Sequence, residues 1–146
     1  MSNYKTVFFI IGVLQIILGI FMAIPIFSQF IFSEIDSSFI TSSAITLVFG
    51  VLFVLSNLDY EKKINLKQAF LLTTLSWLTI AIFGSLPFYF SDLNISFTDS
   101  FFESMSGLTT TGSTIISNLE LAPKSVLLWR ALLQWLGGIG LSLIHI

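Results

Sequence analysis

The chain has 146 residues, of which 55% are hydrophobic and 10% charged, with a net charge of −2 and a mean hydropathy of +0.95. A soluble domain carries about 25% charged residues, so this composition places the chain in a membrane and leaves no basic surface for nucleic acid. There is no cysteine and one histidine, His145, which excludes disulfides, thiolate chemistry and Cys-based metal sites.

Residues 6–33 contain no charged side chain. A membrane-crossing helix needs about 20 apolar residues, so this stretch spans with a tilt or a kink, and Pro25 and Gly19 are the expected kink sites. A cleaved signal peptide fits less well: Lys5 is the only basic residue ahead of it, the apolar run is too long, and no small-x-small cleavage site follows. Residues 33–38 form a polar turn with Glu34 and Asp36. Residues 40–58 are a second uncharged span. Residues 59–67 hold Lys62, Lys63 and Lys67, three of the six basic residues. Residues 69–90 are a third span, with Trp77 near its middle and Pro87 near its end, and residues 91–97 are a second acidic turn with Asp92. Lysine bias sets orientation: Lys5 and the 59–67 loop face the cytoplasm, and the Glu34/Asp36 and Asp92 turns face outwards.

Ser96-Phe-Thr-Asp99 is a capping-box-like helix start. The helix it opens, residues 98–108, is only about 16 Å long, and segments of this length are re-entrant or buried rather than spanning. Thr109-Thr-Thr-Gly-Ser113 then resists helix, because β-branched threonines lose χ1 freedom and glycine adds backbone entropy. Irregular backbone at membrane depth is tolerated only inside protein or along a watery cavity. The run is therefore read as pore lining, with a polar external loop as the alternative. Leu121-Ala-Pro-Lys124 turns the chain on the outside, and Pro123 suits the start of a fourth helix over residues 125–140.

Such an arrangement suits a cation. A half-helix entering from outside ends near the midplane with the negative end of its dipole. The strand that follows offers successive carbonyl oxygens, which replace the hydration shell of an alkali ion without a full charge. Gly112 permits the backbone angles this needs. One strand supplies one quadrant, and a ring takes about four.

Glu103 and Arg130 are the charges inside apolar segments, and intramembrane ionisable residues are functional candidates with a partner to be named. The expected arrangement is a pair between the two helices that holds the strand. In the alternative, Arg130 snorkels to the interface and Glu103 faces a wet vestibule. Gly137, Gly138 and Gly140 are read as close helix packing, or as widening a cavity under the strand. Trp77, Trp129 and Trp135 are packing or interface anchors, and Met105 is packing. Ser104 and Ser106 do not sit in a Gly-x-Ser-x-Gly elbow, and with no histidine outside the last six residues there is no catalytic pair for them.

Phe102-Glu-Ser-Met-Ser-Gly-Leu-Thr-Thr-Thr-Gly-Ser113, followed by Leu128-Trp-Arg-Ala-Leu-Leu-Gln-Trp-Leu-Gly-Gly-Ile-Gly140, resembles the potassium-uptake transporters of the Trk/Ktr/HKT superfamily, in particular the bacterial TrkH branch. The resemblance covers residues 68–140 by motif and the two preceding spans by architecture. It implies an all-α integral membrane protein. Residues 1–67 would be a two-helix transmembrane extension, and residues 68–140 the first helix–re-entrant pore helix–helix repeat with its filter strand, the last helix being truncated. It implies that Thr110, Thr111 and Gly112 coordinate K⁺, with Thr109 and Ser113 flanking, and that K⁺ is transported with no organic cofactor and no enzymatic step. It also implies the bacterial inner membrane with a cytoplasmic N-terminus, a homodimer among membrane lipids, and a cytosolic nucleotide-binding regulatory subunit.

The family has four repeats, so against it the chain is expected to lack three quarters of the ring and the gating loop of the third repeat. Residues 141–146, Leu-Ser-Leu-Ile-His-Ile, match one reading frame of a common transposon-end sequencing adapter and are set aside as a scar. Two rival readings remain. One is a helical membrane assembly subunit that transports nothing. The other is a Na⁺-conducting relative, which in the plant branch is associated with serine at the filter glycine.

Overall fold

The computed structural model describes residues 4–34, 36–60 and 63–144, with side chains as far as Gly140. Lys62, His145 and Ile146 lie outside the described residues. Every regular element among the described residues is a helix.

Helices α1 (Lys5–Phe21) and α2 (Ala23–Phe32) form one apolar column broken at Met22. Pro25 explains the break: it has no N–H for the Phe21 carbonyl, and its ring crowds that carbonyl. The column stays joined, since the Met22 amide reaches Leu18 O at 3.1 Å and the Ile26 amide reaches Met22 O at 3.3 Å. Gly19, the other expected kink site, is regular helix. Its missing side chain serves packing instead, because a Cβ there would lie 2.8 Å from Leu47 Cγ.

Leu47 belongs to α3 (Ser38–Ser56), which runs antiparallel to α1. A Cβ on Gly12 would lie 2.8 Å from the Gly50 carbonyl oxygen, and one on Gly50 would lie 2.9 Å from that of Gly12. Ser43 Oγ donates to Gly19 O at 2.9 Å. Small residues facing one another along both helices let the backbones approach, which is how helices associate where lipid removes the hydrophobic drive.

Helix α4 (Leu66–Phe90) starts ahead of residue 69, because Asn65 and Gln68 form a reciprocal capping box with both bonds at 2.9 Å. The segments Lys5–Phe32, Ser38–Ser56 and Leu66–Phe90 are each long and apolar enough to cross a membrane. Helix α5 (Phe97–Leu108) is about 18 Å long and does not reach across. A 3₁₀ turn, Leu119–Leu121, leads to α6 (Lys124–Ile144).

The core joins Leu18 and Met22 to Phe39, Phe88, Val126, Trp129 and Leu133. Trp129 is its centre: it meets Phe39 edge-on at 6.2 Å and donates Nε1–H to the Gly84 carbonyl at 2.9 Å. Trp135, by contrast, is largely exposed on this chain.

Polar residues collect at two ends. At one, Lys5 Nζ lies 3.8 Å from Asp59 Oδ2, with Lys63 in the same loop. At the other, Glu34 reaches from the α2–α3 turn to the start of α6. Its Oε1 accepts the Lys124 amide at 2.6 Å, and its Oε2 accepts the Ser125 amide at 3.2 Å and the Ser125 hydroxyl at 2.6 Å. A carboxylate from elsewhere in the chain thus satisfies the orphan N–H groups of a helix start, where the dipole favours a negative charge.

Burial works to raise the Glu34 carboxyl, but the Ser125 hydroxyl, the two amides and the Lys124 charge outweigh it and hold it below the ordinary carboxylate range. A carboxyl depressed on folding contributes its stability above its unfolded pKa, about 4.3 for glutamate. That contribution is lost as pH falls through the lower folded value. Glu34→Gln is therefore expected to loosen α6 at neutral pH, and its difference from the unsubstituted chain is expected to close below about pH 4. Hydrogen exchange at the Lys124 and Ser125 amides measures this, and a difference independent of pH would rule out the carboxylate cap.

Candidate functional site

Helix α5 begins where its residues dictate. Ser96 Oγ accepts the Asp99 amide at 3.1 Å, and Asp99 places a negative charge in the first turn. The helix then lies between α4 and α6 at distances that only small residues permit. A Cβ on Gly84 would lie 2.8 Å from Ser104 Oγ, and one on Gly107 would lie 3.2 Å from Leu133 Cβ. A Cβ on Gly137 of α6 would fall inside the carbonyl group of Leu108, the last residue of α5.

Beyond Leu108 the backbone leaves the helix in short steps. The Thr109 amide and hydroxyl both donate to Met105 O, at 2.9 and 2.8 Å. The Thr110 amide reaches Gly107 O at 2.9 Å, and the Thr111 and Gly112 amides share Ser106 O at 3.0 and 3.3 Å. Thr110 (φ +58°) and Gly112 (φ +78°) both take the left-handed conformation. Glycine adopts it freely, whereas for a β-branched threonine it is an outlier of the kind found at functional sites. Thr109 and Thr111 hydroxyls meet at 2.9 Å. Residues 110–114 are exposed on this chain. Among the described residues, no donor engages the carbonyl oxygens of Thr110 and Thr111.

Behind the strand sits a buried ion pair. Glu103 is fully buried; its Oε2 lies 2.9 Å from Arg130 Nε, and the Arg130 side chain is 12% exposed. Glu103 Oε1 accepts the Thr114 hydroxyl and the Ile115 amide, each at 2.6 Å. Arg130 Nη2 also faces the Gly112 and Ser113 carbonyls at 3.4 and 3.5 Å, distances at which a hydrogen bond contributes little. The carboxylate therefore ties three elements together: α5, α6 and the segment leaving the strand.

The three glycines of α6 differ. Gly137 is dictated by contact with Leu108. Gly138 has Thr110 Cγ2 at 3.9 Å from its would-be Cβ, and Gly140 has nothing within 4 Å among the described residues. Gly137 and Gly140 also line a cavity of about 140 Å³ with Ser76, Trp77, Leu108 and Leu136.

Four further residues enter the site that sequence reasoning passed over or used otherwise. Ser106 Oγ donates to Ser113 O at 2.6 Å, and Thr114 is a Glu103 partner. Gln134 Nε2 lies 3.5 Å from where a Gly112 Cβ would be. Glu34, read only as a marker of topology, sets the start of α6. The one usable signal was Thr114, a hydroxyl adjoining the threonine run. The others depend on pairings across long sequence separations.

Comparison with known proteins agrees with this fold. The TrkH family model, described as a cation transport protein, matches residues 35–144. The Trk system potassium uptake protein TrkI of Halomonas elongata is 41% identical over 138 residues, covering 94% of this chain and 28% of that protein. The corresponding TrkH protein of Escherichia coli K12 is 32% identical over 146 residues, covering 99% of this chain and 30% of the relative. The crystal structure of the potassium transporter TrkH from Vibrio parahaemolyticus superposes with a TM-score of 0.91 at 34% identity, over 95% of this chain and 30% of that one. The chain thus spans under a third of the length of these relatives.

Proposed function

We propose, from the premise that the chain belongs to the TrkH family of cation transport proteins, that it supplies the two-helix extension and the first pore repeat of a potassium-uptake protein. One observation carries this reading. A half-length helix ends in an irregular segment with left-handed residues at Thr110 and Gly112, and no donor among the described residues engages the carbonyls of Thr110 and Thr111. In this reading Thr110, Thr111 and Gly112 present carbonyl oxygens to K⁺, flanked by Thr109 and Ser113. Such oxygens stand in for water around the ion and release it again, because they carry partial rather than full charge. The dipole of α5 adds a further negative bias at that point. Glu103 and Arg130 hold the strand from behind, and Gly137 lets α6 close against the end of α5.

The protein lies in a membrane as a helical bundle. The reading further places it in the bacterial inner membrane with its N-terminus cytoplasmic, which the lysine distribution supports. It takes K⁺ as the transported ion with no organic cofactor. Its partners are membrane lipids, a second copy of the full-length protein, and a cytosolic nucleotide-binding regulatory subunit.

A chimera tests it, with residues 1–140 replacing the matching segment of the Escherichia coli relative in a strain that needs K⁺ uptake to grow. Growth at low K⁺ is the expected result, and absence of rescue with normal membrane levels would count against the reading. Gly112→Ala sharpens the test. Its Cβ would meet Gln134 Nε2 at 3.5 Å, an ordinary contact, so the penalty lies in the left-handed backbone. That penalty is roughly 1–2 kcal/mol, and uptake is expected to fall about tenfold with the protein still inserted. Unchanged uptake would remove Gly112 from the site.

A further inference from the structure

Ser106 engages the strand with both of its polar groups. Its carbonyl accepts the amides of Thr111 and Gly112 at 3.0 and 3.3 Å, and its hydroxyl donates to the Ser113 carbonyl at 2.6 Å. The residue is 5% exposed, so its own hydroxyl and carbonyl are largely shielded from water. Three successive residues of the strand are thus fixed by one residue of α5. The other donor near the Gly112 and Ser113 carbonyls, Arg130 Nη2, stands at 3.4 and 3.5 Å, too far to hold either alone.

We propose that Ser106 is a positioning residue that sets which carbonyls of this strand reach the ion. Its hydroxyl draws the Ser113 oxygen back towards α5, so Thr110, Thr111 and Gly112 are left to present the oxygens of this quadrant. The inference rests on the potassium reading above and specifies how that site selects. The number of carbonyl dipoles around an alkali ion, and the strength of their field, are one physical source of ion preference. Releasing the Ser113 oxygen changes that number at one end of the strand. Ser106 therefore acts on selectivity without touching the ion.

The test uses the chimera and compares Rb⁺ uptake with Na⁺ uptake and with inhibition by Na⁺. Ser106→Ala is expected to lower the Rb⁺ over Na⁺ preference roughly three- to tenfold, the effect of losing one hydrogen bond. Ser106→Thr, which keeps the hydroxyl, is expected to restore the preference. A merely structural role would reduce membrane level or rate and leave the ratio unmoved. An unmoved ratio in inserted Ser106→Ala protein overturns the proposal. If Ser106→Ala does not insert, Ser106→Cys, nearly isosteric but a weak donor, is read the same way: a shifted ratio supports the proposal and an unshifted one overturns it. A flat ratio removes this inference alone, whereas absent uptake by the unsubstituted chimera removes the potassium reading and this inference with it.

Discussion

Glu103→Gln and Arg130→Gln are each expected to disorder residues 109–115 and to abolish cation uptake by the chimera, and the double variant is expected to recover part of the loss. The reason is burial. Glu103 is inaccessible and Arg130 nearly so, with 2.9 Å between their closest atoms. Removing one member of such a pair leaves the other charge buried without compensation, at a cost of about 3–5 kcal/mol. Here the carboxylate does more than balance charge. It also accepts the Thr114 hydroxyl and the Ile115 amide, so a neutral amide, a weaker acceptor than a carboxylate, loosens the segment that follows.

Arg130→Lys keeps the charge but not the planar fork of donors, and an intermediate phenotype is expected. The measurement is a double-mutant cycle on the chimera, reading melting temperature in detergent alongside uptake. A coupling of about 1–3 kcal/mol is expected for residues in direct contact. Strict additivity would show that the two charges are neighbours without depending on each other.

The second large effect is expected at Gly137. A side-chain carbon there collides with the Leu108 carbonyl, which is backbone and cannot rotate away. Relief requires α6 to move off α5 at the residue immediately before Thr109. Overfilling a packed site costs about 1–3 kcal/mol and occasionally more, and here the displaced atoms adjoin the proposed ion ligands. Gly137→Ala is therefore expected to lose uptake almost completely.

Two neighbours serve as controls. Gly138→Ala meets its nearest atom at 3.9 Å, and Gly140→Ala meets nothing within 4 Å among the described residues, so both are expected to retain uptake. Alanine even has the better helix propensity, by about 1 kcal/mol. Equal damage at all three positions would show that contact with Leu108 is not what Gly137 is for.

Much of the architecture was legible before any coordinates. The half-helix was expected over residues 98–108 and is found at Phe97–Leu108, because Ser96 caps it and the threonine run ends it. The apolar run predicts a third span over residues 69–90, and the helix begins at Leu66 because the Asn65–Gln68 capping box starts it inside the charged stretch. Of the two kink sites, Pro25 acts through a missing donor that any sequence displays. Gly19 does not bend its helix: a glycine in a helix marks a bend or a close neighbour equally well, and only Leu47 across the gap decides which.

Among the described residues, the sequence alone determined the order of the spans and of the half-helix, and their bounds to within a few residues. Apolar runs, caps and proline act within a few residues, and their energies do not depend on where the chain goes next. Only the tertiary structure decided which groups hold residues 109–115 and which of their carbonyls are left unengaged among the described residues. Glu34 caps α6 from the other end of the chain, Glu103 reaches Ile115, and Ser106 turns the Ser113 carbonyl. Each is a hydrogen bond whose partner comes within reach only after helices have packed. Gly137 was visible as a glycine, but its purpose depends on the position of the Leu108 carbonyl. That position is set by the packing of α5 against α6, which no local pattern encodes.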